Sequence, residues 1–308
     1  MNLWRATILA ACAAALAGCG TAAPKTTASP GHSRPPTASA AADVLYLLPS
    51  EQVPFTGDAV TLTVQAAAGP GAARWLRLAR VTVGFGDGTS GSAGQGCAGG
   101  PPPARGLTLA HRYGRPGLLT ARVTSASVCG QAGQPDLAGV NAALRVLPSA
   151  PPASASWPAC TGAGAVIASR GTGAGLGHVG VLFTVRNASA RGCALSGYPG
   201  LRLLGRGGPL PTTVHDAVSG TYLVPAVAPH RVALAPGGYA AFELEYEDNP
   251  FGPQASEPYA EACPAAIQAG VTLPGTAAAG VVPAAMAPCG GDVWVSAVFP
   301  GRQWINFP

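Results

Sequence analysis

Between residues 43 and 147 the apolar positions recur with a period of two. Val60, Leu62 and Val64 alternate with Thr61 and Thr63. Val81, Val83 and Phe85 alternate with Thr82 and Gly84, and Leu119, Ala121 and Val123 with Thr120, Arg122 and Thr124; Ala142, Leu144 and Val146 close the set. Successive side chains of a strand point to opposite faces. Short alternating runs separated by turn residues therefore predict half-buried strands of a β-sandwich. Residues 159–308 carry the same pattern. Val179, Val181, Phe183 and Val185 form one run. Ala240, Phe242, Leu244 and Tyr246 form another, set against Ala241, Glu243, Glu245 and Glu247. Val293, Val295, Ala297 and Phe299 form a third. Tyr198-Pro199-Gly200, Ala235-Pro236-Gly237-Gly238 and Pro300-Gly301 supply turns between them. No segment keeps a helical period, and the Ala-rich run 277–287 is interrupted by Gly280 and Pro283. The predicted class is all-β, with two β-sandwich domains in series at 43–147 and 159–308 and a Pro/Ser-rich linker at 148–158.

The first 42 residues follow a different pattern. Arg5 supplies a positive charge ahead of the apolar stretch Ala6–Ala17. That stretch falls short of the roughly 20 apolar residues a bilayer core requires, and it fits the central region of a secretory signal at 1–18. It ends in Leu16-Ala17-Gly18-Cys19, which resembles the bacterial lipobox. That resemblance implies cleavage before Cys19, with the Cys19 thiol carrying a diacylglycerol. Two acyl chains suffice for stable anchoring where one does not. Residues 19–42, rich in Thr, Ala, Ser and Pro, have too little apolar surface to offset the entropy of ordering, and are expected to form a disordered tether. The expected location is the extracytoplasmic side of the cell membrane, with the membrane itself a partner through the lipid.

Composition narrows the classes further. The 308 residues include 43 Gly and 31 Pro, and 18 Lys and Arg against 13 Asp and Glu give a net charge of +5. Lys25 is the only lysine, and the arginines are dispersed singly, which argues against a nucleic-acid partner. Setting aside Cys12 in the signal and Cys19 leaves Cys97, Cys129, Cys160, Cys193, Cys263 and Cys289. An even number in an exported chain reads as disulfides, and the spacing lacks the close Cys/His pairs of a zinc site. If bridges stay within domains, Cys97 pairs with Cys129. Three arrangements then remain for the other four, of which Cys160–Cys193 with Cys263–Cys289 is favoured. Each bridge would close a loop of about 30 residues and contribute roughly 3 kcal/mol.

Two stretches carry family resemblances. Val83-Gly84-Phe85-Gly86-Asp87-Gly88-Thr89, followed by His111-Arg112-Tyr113 and Gly117-Leu118-Leu119-Thr120-Ala121-Arg122-Val123, resembles the polycystic-kidney-disease (PKD) type of immunoglobulin-like domain over about residues 45–147. The Trp or Asp common two residues before the Phe is Val83 here, and the insert Ser90–Arg105 is long and Gly-rich. Gly86 and Gly88 permit positive φ, and Asp87 can bond the backbone of its own turn, so the motif reads as structural. A lone carboxylate falls far short of a Ca²⁺ site. In the second half, Cys160, then Gly177-His178-Val179-Gly180-Val181-Leu182-Phe183-Thr184-Val185-Arg186-Asn187, then Cys193-Ala194-Leu195-Ser196-Gly197-Tyr198-Pro199-Gly200, with Leu234-Ala235-Pro236-Gly237 and Cys263, resemble a secreted actinobacterial family, domain of unknown function 4232. That resemblance implies a β-sandwich and no established activity. Both domains are thus expected to be immunoglobulin-like sandwiches.

No recognisable catalytic set emerges. There is no G-x-S-x-G elbow, and His111, His178, His215 and His230 stand apart; neighbouring His215 and Asp216 would point to opposite faces of a strand. Neither a phosphate-cradling nor a dinucleotide loop is present, so no cofactor is expected. Glu243, Glu245 and Glu247 share one strand face and are read as solvated. Together with Phe251 and Tyr259 they make the candidate recognition surface, facing a cationic or carbohydrate partner. The expected function is a non-enzymatic binding or interaction module at the cell envelope, with a glycan or protein partner. The alternatives are an accessory subunit of an envelope complex and, with least support, a hydrolase of envelope polymers. Mass spectrometry of the mature N-terminus is expected to show acylated Cys19, and Cys19→Ala to move the protein out of the membrane fraction.

Overall fold

The computed structural model describes residues 43–68, 75–98, 106–131, 135, 137, 139–276 and 279–305. The signal, Cys19 and the tether lie outside the described residues. The first sandwich comprises β1 (Val44–Pro49), β2 (Ala59–Ala67), β3 (Trp75–Leu76), β4 (Leu78–Gly84), β5 (Ser90–Gly94), β6 (Leu107–Arg112), β7 (Gly117–Val128) and β8 (Asn141–Val146). One sheet has β2 between β1 and the successive partners β3 and β6; the other runs β5-β4-β7-β8. The alternating residues read from the sequence supply the inner faces: Val60, Leu62 and Val64 meet Val81, Val83, Ala121, Val123, Leu144 and Val146 in one core.

The two halves of the motif around Asp87 come together at a corner of this sandwich. Asp87 accepts hydrogen bonds from the Thr89 N–H (3.0 Å) and hydroxyl (2.6 Å), and its other oxygen lies 2.7 Å from His111 Nε2. The imidazole stacks on Phe85 at 4.0 Å, and the Tyr113 hydroxyl donates to the Phe85 carbonyl. Burial raises the Asp87 pKa, but the bonds from Thr89 and His111 outweigh it and bring it to about 2. The carboxylate is committed to holding the turn.

The second sandwich comprises β9 (Ala165–Gly175), β10 (His178–Asn187), β11 (Cys193–Leu195), β12 (Gly200–Gly205), β13 (Gly208–Pro209), β14 (Thr213–Asp216), β15 (Val232–Leu234), β16 (Tyr239–Glu247), β17 (Ala266–Thr272), β18 (Ala279–Met286), β19 (Asp292–Val295) and β20 (Phe299–Pro300). A six-stranded sheet runs β14-β19-β16-β10-β9 with β20 also on β16; a four-stranded sheet, β13-β12-β17-β18, faces it, and β11 pairs β15. Val181, Phe183, Phe242, Leu244, Val293 and Val295 fill the space between with Leu203, Ala269 and Val271. Asn187 ends β10 fully buried; its side chain accepts from the Ser189 N–H of the following turn and donates to the carbonyls of Arg191 and Leu234. One short α-helix, α1 (Tyr259–Ala262), and a few single-turn 3-10 segments occur among the described residues. The all-β expectation holds.

Disulfides join Cys97 to Cys129, Cys160 to Cys193 and Cys263 to Cys289, across 32, 33 and 26 residues. The two sandwiches belong to one compact unit. The segment 148–158 between them is pinned along its length: the Ser149 hydroxyl donates to the Thr56 carbonyl, Ser154 is buried, and the Arg231 guanidinium donates to the carbonyls of Ser154 and Trp157.

The Asp87 corner gives a controlled test of the backbone argument. Gly86 and Gly88 have φ of +88° and +91°, but a Cβ at Gly86 would lie 2.6 Å from the Thr120 carbonyl oxygen, whereas at Gly88 nothing lies within 4 Å. Gly88→Ala should cost about 1–2 kcal/mol from backbone strain alone. Gly86→Ala should cost at least about 1 kcal/mol more from the added clash, as read by urea denaturation.

Candidate functional site

The β16 alternation divides its side chains as the sequence predicts: Phe242, Leu244 and Tyr246 enter the core, while Ala241, Glu243, Glu245 and Glu247 take the other face. The expectation that this outer face is solvated is overturned. Glu243 and Glu245 are 0% and 1% exposed, and Glu247 is half-buried. The reason is tertiary. Val53, Phe55 and Leu147 of the first sandwich pack with Leu182, Val227, Ala241, Ala297, Phe299 and Ile305 of the second in a separate apolar cluster over that face. Phe55 also stacks on His230 at 4.1 Å, and His230 Nε2 lies 3.0 Å from Asp58. The proposed recognition surface is therefore divided. Phe251 and Tyr259 remain about half exposed, with the Tyr259 hydroxyl on the Asp248 carbonyl, but Glu243 and Glu245 do not share their surface.

Burying a carboxylate is costly unless donors surround it. Glu245 has them. One oxygen accepts from the N–H groups of Leu223 (2.6 Å) and Val224 (3.1 Å) and from the Thr221 hydroxyl; the other lies 2.8 Å from His178 Nδ1. It thereby fixes the turn at Thr221–Val224 onto the sheet. Glu243 is less well served. Its Oε1 accepts from the Ile305 N–H at 2.6 Å, while Oε2 is buried without a partner. Burial pushes its pKa up to about 7, against the lowering effects of the Ile305 bond and the Arg145 charge from the first sandwich.

Above these groups a cleft of about 470 Å³ opens between the sandwiches. Pro49, Ser50, Glu51 and Gln52 of the β1–β2 connection form one wall, and Ser219–Tyr222 with Pro225 and Ala226 form the other. Both walls are held by hydrogen bonds. Ser50 N–H donates to the Thr61 carbonyl, and Arg145 N–H to the Gln52 carbonyl. Opposite, Thr221 N–H donates to the Val224 carbonyl, and the Thr221 side chain is tied to Glu245. Tyr222 stands 56% exposed at the rim, its ring centroid 5.1 Å from that of His178. Glu51 lines the cleft with its Oε2 buried and unpartnered.

This arrangement can bind and orient. In a nucleophilic triad the imidazole lies between hydroxyl and acid. In the sets His178–Glu245–Thr221 and His111–Asp87–Thr89 the carboxylate is the central member, so each hydroxyl donates to the acid. His215 pairs not with Asp216 but with Asp292, at 2.7 Å across the β14–β19 pair. Sequence reasoning missed that Glu51 and Tyr222 line one cleft, with His178 beside Tyr222. A signal was present in β10: Val181-Leu182-Phe183-Thr184-Val185 is buried throughout, the mark of a strand covered on both faces.

Fold and site together define a protein of two packed β-sandwiches with a polar cleft at their junction. Residues 160–298 match the family described as "Domain of unknown function (DUF4232)". No curated protein matches the sequence. A solved structure described as "Structural basis for the promiscuous specificity of the carbohydrate-binding modules from the beta-sandwich super family" aligns at 11% identity over 87% of this chain and 100% of its own, with a TM-score of 0.26. That likeness is too slight to bear on function.

The raised Glu243 pKa makes stability depend on pH. With the folded value above the unfolded one, the native state holds an extra proton between about pH 4.5 and 7, so stability falls as pH rises through that window. The loss approaches an order of about 3 kcal/mol above it. Glu243→Gln, neutral at every pH, should equal the wild type at pH 5 and exceed it at pH 8 in chemical denaturation.

Proposed function

We propose that this protein is a lipid-anchored, extracytoplasmic binding module whose ligand occupies the cleft at the junction of the two sandwiches. The observation that carries this reading is a cleft contributed by both domains, with hydrogen-bonded walls and a lining mixed between polar groups and one aromatic ring. Small-ligand sites favour such domain junctions, and a preformed site avoids the entropic cost of ordering on binding. The disulfides support an oxidising compartment, and Leu16-Ala17-Gly18-Cys19 supports the anchor. The role is recognition without turnover, because neither carboxylate–histidine–threonine set presents a hydroxyl activated by imidazole.

A photo-crosslinking residue placed at Ser219, in the cleft, tests this on intact cells. It should give a discrete adduct with an envelope component, whereas the same residue at Thr108, exposed on β6, should not. Equal labelling at both positions, or none at Ser219, would remove the cleft as the binding site.

A further inference from the structure

Glu51 has no role in the fold comparable to that of Glu245. It sits on the connection between β1 and β2, and the packing and turn bonds there are made by others: Val53 and Phe55 are the buried anchors, and Asp58 accepts from the Phe55 N–H. Its Oε2 is nonetheless buried without a partner. The one histidine that acts on it electrostatically, His230, lies 3.0 Å from Asp58 instead. Burial and the Asp58 charge together raise the Glu51 pKa, and His230 only partly opposes them. A carboxyl group in this state is short of a positive partner.

The rest of the cleft supplies none. Among its lining residues Glu51 is the only one with a side chain charged at neutral pH; the others are Pro, Ser, Gln, Gly, Thr, Tyr and Ala. Thr221 is engaged with Glu245, whereas Ser219 and Gln52, on opposite walls, carry oxygens able to accept a hydrogen bond. Tyr222 places an aromatic ring at the rim, and such a ring attracts a cation over its face. Electrostatics select against anions here, because nothing in the lining would neutralise one.

We infer that the cleft recognises its ligand through a protonated amine, with the ammonium group against the Glu51 carboxylate and the adjoining carbon skeleton against Tyr222. This rests on the reading that the cleft is the ligand site, and it adds the chemical class of the ligand. An ammonium group brings three donors and one positive charge, which is what a lone carboxylate flanked by neutral acceptors lacks.

Benzylamine and benzyl alcohol make a matched pair of probes. They share a ring and a methylene, and differ in one charged group at pH 7. Titration of the purified mature protein should show benzylamine bound at least tenfold more tightly than benzyl alcohol. Glu51→Gln should abolish that difference without lowering thermal stability, and Tyr222→Ala should weaken both probes. Equal affinity for the two, or a preference that survives Glu51→Gln, would overturn the amine. If that happens while the Ser219 adduct still forms on cells, the cleft stands and only the ligand class fails. No binding of either probe together with no adduct at Ser219 ends both.

Discussion

Two carboxylates buried on the outer face of a six-stranded sheet constrain the rest of this molecule. Glu243 and Glu245 sit on the face of the sheet turned away from its core, and both are covered, by the first sandwich and by the Thr221–Val224 turn of the second. Once covered, they require donors. Glu245 obtains them by drawing the turn at Thr221–Val224 onto the sheet, and Glu243 by taking the Ile305 N–H at the end of the described chain. The same covering brings Val53, Phe55 and Leu147 of the first sandwich into an apolar cluster with the second. Domain packing, the Thr221–Val224 turn and the cleft beside it are therefore parts of one arrangement.

The two glutamates differ in the quality of their satisfaction. Glu245 gathers two backbone N–H groups and a hydroxyl on one oxygen, with the His178 imidazole 2.8 Å from the other. Glu243 keeps one oxygen unpartnered, and burial raises its proton affinity. A junction built this way is apolar enough to hold two domains together and polar enough to respond to protonation. Satisfied buried polar networks help fix one arrangement against alternatives, and here Glu245 is far better supplied with donors than Glu243.

The cleft inherits its rigidity from these bonds. Its far wall is the turn that Glu245 anchors, and its near wall is the β1–β2 connection that ends in the buried Phe55. Glu51 lies on the side of that connection facing the cleft, where its carboxylate lacks the donors that Glu245 has gathered. The contrast between a well-supplied acid in the sheet and an unpartnered one in the adjoining cleft is what the proposed binding role of Glu51 rests on.

Strand positions and the face each side chain takes were legible in the chain, because a period of two is a local property of extended backbone. The motif around Asp87 was legible for a similar reason: glycines at positive φ and a carboxylate two residues from Thr89 act within a few residues of one another. Which side of the second sandwich would face solvent was not legible. The alternation in β16 separates Phe242 and Leu244 from Glu243 and Glu245 without saying what lies beyond the glutamates. That was decided by Phe55, nearly two hundred positions away in sequence, and by the loop carrying Thr221. The unbroken burial of β10 shows that both faces are covered, yet an apolar run names no partner. Periodicity determines which residues point together, and long-range packing alone determines whether they point into water, into core or into a cleft.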